Sequence, residues 1–142
     1  MVTVYLGLGS NLGDKRKNLR RAVKLLRQRV KIIKVSSLYE TKPVGHTDQP
    51  DFLNAVLAAE TGIAPTPLLR LVKSIEKKIG RRRTFRNGPR VIDIDILLYE
   101  GRKVKTKRLT IPHPRMYARD FVLRPLREIA PRLDKKVFKW KK

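Results

Sequence analysis

Cysteine, histidine and negative charge are scarce in this 142-residue chain. Cysteine is absent, which excludes disulfides, zinc–thiolate sites and cysteine nucleophiles. Only two histidines occur, His46 and His113, so a metal cage built mainly of imidazoles is also excluded. No apolar run approaches the ~18 residues that a membrane helix requires. The chain begins on a strand-like pattern rather than a signal peptide, so we expect a cytoplasmic protein without a membrane segment.

The charge balance is strongly one-sided. Only 12 Asp and Glu residues accompany 35 Lys and Arg residues, which gives a formal net charge of +23. A field of this sign favours partners that carry phosphate or carboxylate groups, and it permits non-specific contact with nucleic acid. The length suits one domain, residues 1–142, and the 41% hydrophobic content is typical of a folded chain. We expect this domain to be a monomer.

Hydrophobic periodicity predicts the order strand, helix, two strands, helix and strand, followed by a C-terminal helical tail. The predicted strands cover residues 2–8, 32–38, 52–60 and 91–99. A short hairpin is expected near Gly101, and a last helix over 120–129. This βαββαβ order matches a ferredoxin-like α+β sandwich, in which two helices pack on one face of an antiparallel sheet.

Both main helices carry recognisable end signals. Asp14 is expected to cap the first helix, whereas Thr66 is expected to cap the second and Gly80 to end it. The first helix presents one apolar stripe, formed by Leu19, Ala22, Val23, Leu26 and Val30. Its other face is almost entirely Lys and Arg, for which solvent exposure is the default interpretation.

The sequence Ile-Asp-Ile-Asp-Ile at 92–96 is the most informative segment. Side chains alternate along a strand, so Asp93 and Asp95 share one face and the isoleucines share the other. Two neighbouring carboxylates repel each other, so positive charge is needed between them. Mg²⁺ suits this place, because it binds one or two carboxylates together with substrate phosphates. Ion pairs with nearby arginines explain the pattern equally well.

Basic residues flank the acidic strand on both sides. The loop before it contains Arg81, Arg82, Arg83, Arg86 and Arg90. Guanidinium groups bind phosphate in a bidentate manner, so acids beside arginines indicate a magnesium–nucleotide site. The alternative is a solvated loop, or one that binds RNA loosely. The turn at Gly88-Pro89 would allow this loop to act as a lid.

Two isolated residues have both a functional and a structural interpretation. His113 stands in a rigid turn between two prolines, where a neutral imidazole donates one hydrogen bond to phosphate, although a lone histidine is more often structural. Glu76 flanks the buried stripe of the second helix. It either contacts a nucleotide hydroxyl or forms an ion pair with Lys73 or Arg83.

The glycines and aromatic residues are less specific. Gly7, Gly9 and Gly13 do not have the spacing of a dinucleotide-binding loop, so they are expected to permit a tight turn and a close backbone approach. Phe52 and Phe121 are candidates for stacking on a flat ring, with core packing as the default.

The order of the motifs is much more specific than any one of them. They are Gly9-Ser10-Asn11-Leu12-Gly13-Asp14, Tyr39-Glu40-Thr41, the segment 48–54, Glu76, Gly80-Arg81, the segment 88–97, the segment 108–113 and Arg119-Asp120-Phe121. Together they resemble the 6-hydroxymethyl-7,8-dihydropterin pyrophosphokinase family, from Tyr5 through Pro131. The resemblance implies a ferredoxin-like fold and transfer of the β,γ-diphosphate of ATP to the pterin hydroxymethyl group. AMP is then released, as a step of folate biosynthesis.

The resemblance also implies residue roles. Asp93 and Asp95 would hold two Mg²⁺ ions, and Arg81 and Arg90 would be catalytic. Contacts to the nucleotide or its phosphates map onto Glu76, Arg83, Ile96, Arg108, Thr110, His113 and Arg119. The pterin pocket maps onto Thr41, Val44, Phe52, Asn54 and Phe121, with the two phenylalanines on either side of the ring. Asn87 stands where many family members have tryptophan.

A basic RNA-binding module is the alternative function. The net charge and the expected basic loops favour it. The strands, however, lack the aromatic pattern of sheet-based RNA readers, and Asp93 and Asp95 would repel a phosphate backbone. Release of AMP, measured in a coupled assay, would distinguish the two functions.

Overall fold

The computed structural model describes residues 1–82, 84–85, 88–116 and 119–133. The elements are β1 (Val2–Ser10), α1 (Lys15–Arg27), β2 (Lys31–Val35), β3 (Tyr39–Thr41), β4 (Phe52–Thr61), α2 (Pro65–Ile79), β5 (Asp93–Tyr99), β6 (Val104–Lys105), β7 (Thr110–Ile111) and α3 (Asp120–Ile129). Within these ranges no helix combines the length and the apolar character needed to cross a membrane.

The central sheet is antiparallel, with strand order β2–β4–β1–β5 and β3 paired with β4. β1 lies in the middle and pairs with β4 from Val2↔Thr61 to Ser10↔Leu53. β6 and β7 form a separate small sheet. The α+β class predicted from the sequence, an antiparallel sheet with helices packed on it, is therefore confirmed.

Alternation along the strands divides the core into two layers. Leu57 and Ala59 of β4 pack in the layer with α1 and α2, whereas Val56 and Ala58 pack with α3 on the opposite face. The two main helices thus lie on one face, as the sequence predicts. Because α3 covers only part of the second face, the remainder is open to form a site.

The start of α1 agrees with the sequence prediction, but the start of α2 does not. The Asp14 carboxylate accepts a hydrogen bond from the Lys17 N–H at 3.1 Å, so the predicted cap is confirmed. The predicted cap at Thr66 is wrong, because α2 begins at Pro65 and Thr66 is already inside the helix. Proline suits this first position, since its missing N–H would have no helical acceptor. Gly80 ends α2 with φ at 113°, as expected.

The predicted apolar stripe of α1 is present. Leu19, Ala22 and Leu26 are buried, Val23 is half-buried, and Val30 is buried just beyond the helix. The stripe on α2 is also buried against the sheet. The exposed face of α1 consists of Arg16, Lys17, Arg20, Arg21, Lys24 and Arg27.

The strand predicted over 32–38 is shorter, since β2 ends at Val35, and β3 at Tyr39–Thr41 was not predicted. The Ser36 N–H donates to the Val56 carbonyl, and the Ser36 hydroxyl accepts from the Val56 N–H, both at 2.9 Å. A side chain therefore replaces one backbone partner and interrupts the ladder between β2 and β3. The predicted strand at 91–99 begins only at Asp93. The turn near Gly101 is confirmed, with φ at 73°.

Candidate active site

A cleft opens on the face of the sheet that α3 leaves uncovered. β1, β4 and β5 form its floor, and β3, the following loop and the start of α3 form its walls. The residues singled out from the sequence that line it are Thr41, Val44, Phe52, Asn54, Arg90, Asp93, Asp95, Arg119 and Phe121. The fold therefore brings both predicted groups, the pterin pocket and the acidic pair, into one cleft.

The acidic pair lies on the cleft face of β5. Asp93 and Asp95 line the cleft, while Ile94 and Ile96 are buried under α1 and α2, as strand alternation predicts. Asp93 Oδ1 accepts a hydrogen bond from Arg81 Nη1 at 2.9 Å. Asp95 Oδ1 lies 4.0 Å from His113 Nε2. Of the two aspartates, Asp93 therefore has the direct arginine partner.

Asp95 stands in an environment that disfavours a bare negative charge. Burial raises its pKa to about 7, and repulsion by Asp93 and Glu76 contributes to the increase. Among the described residues, no cluster of three or more His, Cys, Asp or Glu side chains forms a complete cage. Two carboxylates with open positions beside them fit Mg²⁺, because that ion retains waters and binds phosphate oxygens as well.

Arg81 connects Asp93 to the end of α2. Its Nη1 also donates to Glu76 Oε2 at 2.7 Å, and the same Glu76 oxygen accepts the Ile94 N–H at 2.8 Å. Burial raises the pKa of Glu76, while the Ile94 hydrogen bond, Arg81 and Lys73 oppose the increase. Glu76 is therefore held inside the fold and supports the start of β5.

Of the two roles considered for Glu76, a nucleotide contact or an ion pair, the structure shows ion pairs. Its other oxygen lies 3.5 Å from Lys73 Nζ, so the ion pair expected with Lys73 is present. The strongest partner, Arg81, was not among those considered from the sequence. Arg83, the other expected partner and a predicted phosphate contact, lies outside the described residues, as does Asn87.

Arg90 lies where the aromatic and the acidic parts of the cleft meet. Its guanidinium carbon is 4.8 Å from the centroid of the Phe52 ring, and its Nη1 donates to the Gly88 carbonyl at 2.8 Å. Its Nε is 3.9 Å from Asp93 Oδ2 and is buried without a hydrogen-bond partner in the described part of the chain. A buried, charged N–H without an acceptor is costly, so this position suits an anionic oxygen of a ligand.

A second arginine and aromatic residue form the opposite wall. The Arg119 guanidinium carbon lies 5.2 Å from the centroid of the Phe121 ring, at the start of α3. Burial lowers the pKa of Arg119, and Asp95 opposes the decrease. Two phenylalanines from different elements thus line one cleft, each with a guanidinium over its ring. This arrangement suits a flat heterocycle that lies beside an anion.

Polar groups occupy the floor near the aromatic walls. The Asn54 amide donates to the Thr41 hydroxyl across the β3–β4 pair. A methyl group at Gly9 would lie 2.8 Å from Asn54 Oδ1 and 3.5 Å from Phe52 Cδ1. Gly9 therefore makes the close approach that the sequence suggested, and it leaves Asn54 free to face a ligand.

His113 presents a hydrogen-bond donor to the acidic pair. Its backbone N–H donates to the Leu97 carbonyl at 2.9 Å, and its Nδ1 accepts from the Arg115 N–H at 3.2 Å. The neutral ring therefore carries its proton on Nε2, which faces Asp95. Burial lowers the pKa of His113, with a further decrease from Arg119, so the ring is neutral near pH 7.

Five predicted nucleotide contacts within the described ranges do not line the cleft, namely Glu76, Ile96, Arg108, Thr110 and His113. The Ile96 side chain is buried on the other face of the sheet, which leaves only its backbone for a ligand. Arg108 is exposed, and Thr110 lies on β7 in the small second sheet. Conversely, Gly7 and Lys42 line the cleft but were not predicted to do so. Gly7 shares a face of β1 with Gly9, a signal that becomes visible once the pairing of β1 with β5 is known.

Comparison with known proteins adds independent findings. The family model described as 7,8-dihydro-6-hydroxymethylpterin-pyrophosphokinase matches residues 5–131. A 2-amino-4-hydroxy-6-hydroxymethyldihydropteridine pyrophosphokinase of Bacillus subtilis (strain 168) is 50% identical over 133 residues, which cover 92% of this chain and 80% of the relative. The protein of the same name from Aquifex aeolicus (strain VF5) is 45% identical over 139 residues, which cover 98% of this chain and 87% of that relative.

Solved structures support the fold. The crystal structure of Plasmodium falciparum HPPK-DHPS wild type with pteroate matches with a TM-score of 0.71 and 17% sequence identity. The match covers 89% of this chain and 38% of that longer chain, so this chain corresponds to well under half of it. At this identity the similarity concerns the fold alone.

Proposed function

This chain belongs to the 7,8-dihydro-6-hydroxymethylpterin-pyrophosphokinase family, and from that membership we propose that its cleft holds ATP and the pterin side by side. The protein is a pyrophosphokinase of folate synthesis. It transfers diphosphate from ATP to the hydroxymethyl group of 6-hydroxymethyl-7,8-dihydropterin and releases AMP. This is the activity that the sequence motifs predict.

The position of Arg90 is the observation that carries the proposed binding mode. Its guanidinium packs on Phe52, and its buried Nε has no acceptor among the described residues and lies next to Asp93. A diphosphate oxygen at this Nε would satisfy the donor. The pterin would then lie against the Phe52 ring, with its hydroxymethyl group directed towards the phosphates.

The pterin pocket is proposed on the aromatic side of the cleft. Phe52 and Phe121 supply flat apolar surface for the ring, and Asn54 and Thr41 supply hydrogen-bonding groups for its edge. Val44 is 54% exposed and lines the same cleft from the loop after β3, where it would cover the bound ring.

The phosphate side is proposed around the acidic pair. Asp93 and Asp95 would hold Mg²⁺, as two ions according to the family resemblance. When bound, Mg²⁺ supplies charge neutralisation on the phosphate oxygens and helps to align the reacting groups. Arg90 and Arg119 carry N–H donors for the same oxygens, and neutral His113 donates one more from Nε2.

The structure gives Arg81 a structural contact in addition to the catalytic role predicted from the sequence. Because it is shared by Glu76 and Asp93, we assign it first to holding the Asp93 carboxylate in place. Its predicted direct contact with the phosphates stays a prediction. The same holds for the nucleotide contacts of Glu76, Arg83, Ile96, Arg108 and Thr110, which rest on the family resemblance.

The reaction itself is a displacement at phosphorus. The pterin hydroxyl oxygen attacks the β-phosphorus of ATP, and the bond from that phosphorus to the oxygen bridging the α-phosphate breaks. AMP leaves with the electron pair of the broken bond, and the proton of the attacking hydroxyl is released to solvent. Phosphoryl transfer depends chiefly on positioning and charge neutralisation, which is what the arginines and His113 provide in this cleft.

The finer architecture is part of the proposal. The antiparallel order β2–β4–β1–β5, with α1 and α2 on one face, supports a ferredoxin-like arrangement. We further propose that residues 1–142 act as one domain, as a monomer, in the cytoplasm.

The test is magnesium-dependent release of AMP from ATP in the presence of the hydroxymethyl-dihydropterin. Asp95→Asn should reduce the rate by roughly 10²–10³-fold, the range found when one electrostatic contact to a reacting group is lost. Glu60→Gln is the matched control, because Glu60 lies at the far end of β4 and pairs only weakly, at 3.8 Å, with Lys31.

Each result has a distinct meaning. Full activity in Asp95→Asn would exclude that residue as a metal ligand. Formation of ADP instead of AMP would exclude diphosphate transfer. If the wild-type protein consumes no ATP with the pterin present, the proposed binding mode and activity both fail.

A further inference from the structure

We propose that Asn11 is a positioning residue that holds the pterin side and the phosphate side of the cleft in one fixed arrangement. The inference rests on the proposed function, since it concerns the relative placement of the two substrates. Asn11 follows β1 within the segment Gly9–Asp14, which contributes to the family resemblance, and its side chain has been given no role so far.

Asn11 forms hydrogen bonds with two segments that are distant from it in sequence. It is 1% exposed, and its Nδ2 donates to Gln49 Oε1 at 2.8 Å and to the Pro50 carbonyl at 3.0 Å. Its Oδ1 accepts the Arg90 N–H at 2.8 Å, and its own N–H donates to the Arg90 carbonyl at 3.1 Å. A single buried amide thus joins the loop before β4 to the loop before β5.

The reciprocal bonds with Arg90 extend the sheet. The last regular pair between β1 and β5 is Gly9↔Asp93. Beyond it, Asn11 and Arg90 exchange two hydrogen bonds, one from backbone to backbone and one through the Asn11 side chain. These two bonds therefore fix the Arg90 backbone relative to β1, the central strand of the fold.

The bonds that Asn11 Nδ2 donates to Gln49 and Pro50 hold the segment that leads into the aromatic wall. Pro50 precedes Phe52 by two residues, and Phe52 is the ring on which the Arg90 guanidinium packs. Asn11 therefore holds the Arg90 backbone directly and the Phe52 segment through the Pro50 carbonyl. Because the two substrates meet at this contact, a shift of either loop changes the distance between the attacking oxygen and the phosphorus. A displacement of about 1 Å is enough to reduce a rate by about 100-fold.

Other contacts between these loops are more exposed. Lys15 Nζ donates to the Asp51 carbonyl at 3.0 Å, and the exposed rings of His46 and Phe85 meet edge to face with centroids 4.8 Å apart. Each joins only one pair of segments, and each is open to solvent. Asn11, by contrast, is buried and bonded to both loops, so their spacing depends on its side chain.

Two substitutions distinguish the bonds of Asn11 to Gln49 and Pro50 from its side-chain bond to Arg90. Asn11→Leu is close in size and removes all three side-chain hydrogen bonds. Asn11→Asp retains an acceptor for the Arg90 N–H, but it places a carboxylate oxygen against Gln49 Oε1 and the Pro50 carbonyl. The matched control is Asn18→Ala, because the Asn18 amide bonds only to Ser10 Oγ and the Leu12 carbonyl of the same turn.

The kinetic test separates positioning from stability. With Asn11→Leu, kcat for AMP release should fall by roughly 100-fold, because only the joint placement of the substrates is lost. The dissociation constants of ATP and of the pterin, each measured alone, should change by less than about fivefold. Asn18→Ala should lower Tm to a similar extent but keep kcat within about twofold.

Hydrogen exchange gives a readout that needs no activity. The Arg90 amide should exchange at least about 10-fold faster in Asn11→Leu, but not in Asn11→Asp or Asn18→Ala. Should Asn11→Leu fail to fold, Asn11→Asp serves in its place: kcat should still fall while the Arg90 amide keeps its protection, because only the bonds to Gln49 and Pro50 are lost. If the wild type releases no AMP, the proposed function fails, while the exchange pattern still tests whether Asn11 holds the loops.

Two outcomes would overturn the inference. One is an Asn11→Leu variant that keeps the wild-type kcat. The other is a fall in kcat that Asn18→Ala reproduces at equal Tm, because the loss would then follow from a weakened turn.

Discussion

The arrangement of Glu76, Arg81 and Asp93 shows how single side chains in this cleft depend on distant partners. Arg81 Nη1 lies 2.7 Å from Glu76 and 2.9 Å from Asp93, and Glu76 also holds the Ile94 N–H. A buried carboxylate is stable in the fold only when it is paired and hydrogen-bonded. The carboxylate that faces the cleft is therefore oriented by one that does not reach it.

Strand alternation makes Asp93 and Asp95 predictable from sequence, because their shared face follows from a period of two residues. The partner of Glu76 was not predictable in the same way. Arg81 meets Glu76 because Gly80, with φ at 113°, ends α2 and turns the chain at that point, which a pattern of charges does not reveal.

Gly9→Ala should weaken the pterin site. The added methyl group would stand 2.8 Å from Asn54 Oδ1, so Asn54 must move from the cleft edge. We expect pterin affinity to fall by about 10-fold or more, corresponding to the loss of one good hydrogen bond, whereas ATP affinity should change little. Isothermal titration with each substrate alone provides the measurement.

Gly7→Ala is the control for this substitution. Gly7 lies on the same strand and lines the same cleft, but a methyl group there would meet Leu97 at 3.5 Å, an ordinary contact. Equal effects of the two alanines would show that added bulk on β1, rather than the displacement of Asn54, weakens binding.

At the scale of elements, α3 serves both the core and the cleft. Its apolar side packs against β4 and β5, and its first turn carries Phe121 on the cleft wall. Near its other end, Glu128 accepts hydrogen bonds from the Ser37 N–H at 2.8 Å and the Tyr39 hydroxyl at 2.6 Å. The junction between β2 and β3 therefore anchors the helix that bears one aromatic wall.

Glu128→Gln should loosen this anchor in a pH-dependent way. Hydrogen bonds from Tyr39 and Ser37 lower the pKa of Glu128. The folded value thus lies below the unfolded one, so the stabilisation is present at neutral pH and is lost as the pH falls through the folded pKa. We expect Tm at pH 7 to fall by about 2–4 °C, with a difference that narrows below pH 4.

Glu60→Gln provides the comparison for the pH series. Glu60 has an exposed ion pair with Lys31, for which little or no stabilisation is expected. A Glu128→Gln difference in Tm that stays constant from pH 7 to pH 3 would contradict the assignment of this anchor to the ionised carboxylate.

The elements themselves were predictable to different degrees. Asp14 and Gly80 mark their helix ends through local chemistry, so the sequence locates those ends well. The break between β2 and β3 depends on the Ser36 hydroxyl meeting Val56, twenty residues away, which no local pattern reveals. β6 and β7 have two residues each, too few to show any periodicity.

The whole molecule carries far more positive charge than its cleft uses. Six exposed basic residues on α1 lie on the helix face that points away from the sheet, whereas the cleft is on the opposite face of that sheet. This separation explains why the net charge supported the alternative of an RNA-binding module without indicating the cleft. Charge composition reports on the field around a molecule, not on the groups that line a site.

Reversal of charge on α1 should therefore separate the two properties. In a variant that combines Arg16→Glu, Arg20→Glu and Lys24→Glu, AMP release should stay within about twofold of wild type. Binding to a single-stranded RNA oligonucleotide, measured by fluorescence anisotropy, should weaken and depend less steeply on salt, because about three fewer phosphates are neutralised. High wild-type RNA affinity with a steep salt dependence, unaffected by Mg²⁺ or ATP, would instead favour a dedicated RNA-binding function.

The floor of the cleft is formed by paired strands, whereas parts of its walls are formed by segments that connect them. Asn54, Asp93 and Gly9 lie on paired strands, whereas Val44 and Arg90 lie on connecting segments. Connecting segments open locally at a lower free energy than central strands do. Mild urea should accordingly abolish turnover well before the far-ultraviolet circular dichroism of the chain changes, so catalytic competence and foldedness are separable states of this molecule.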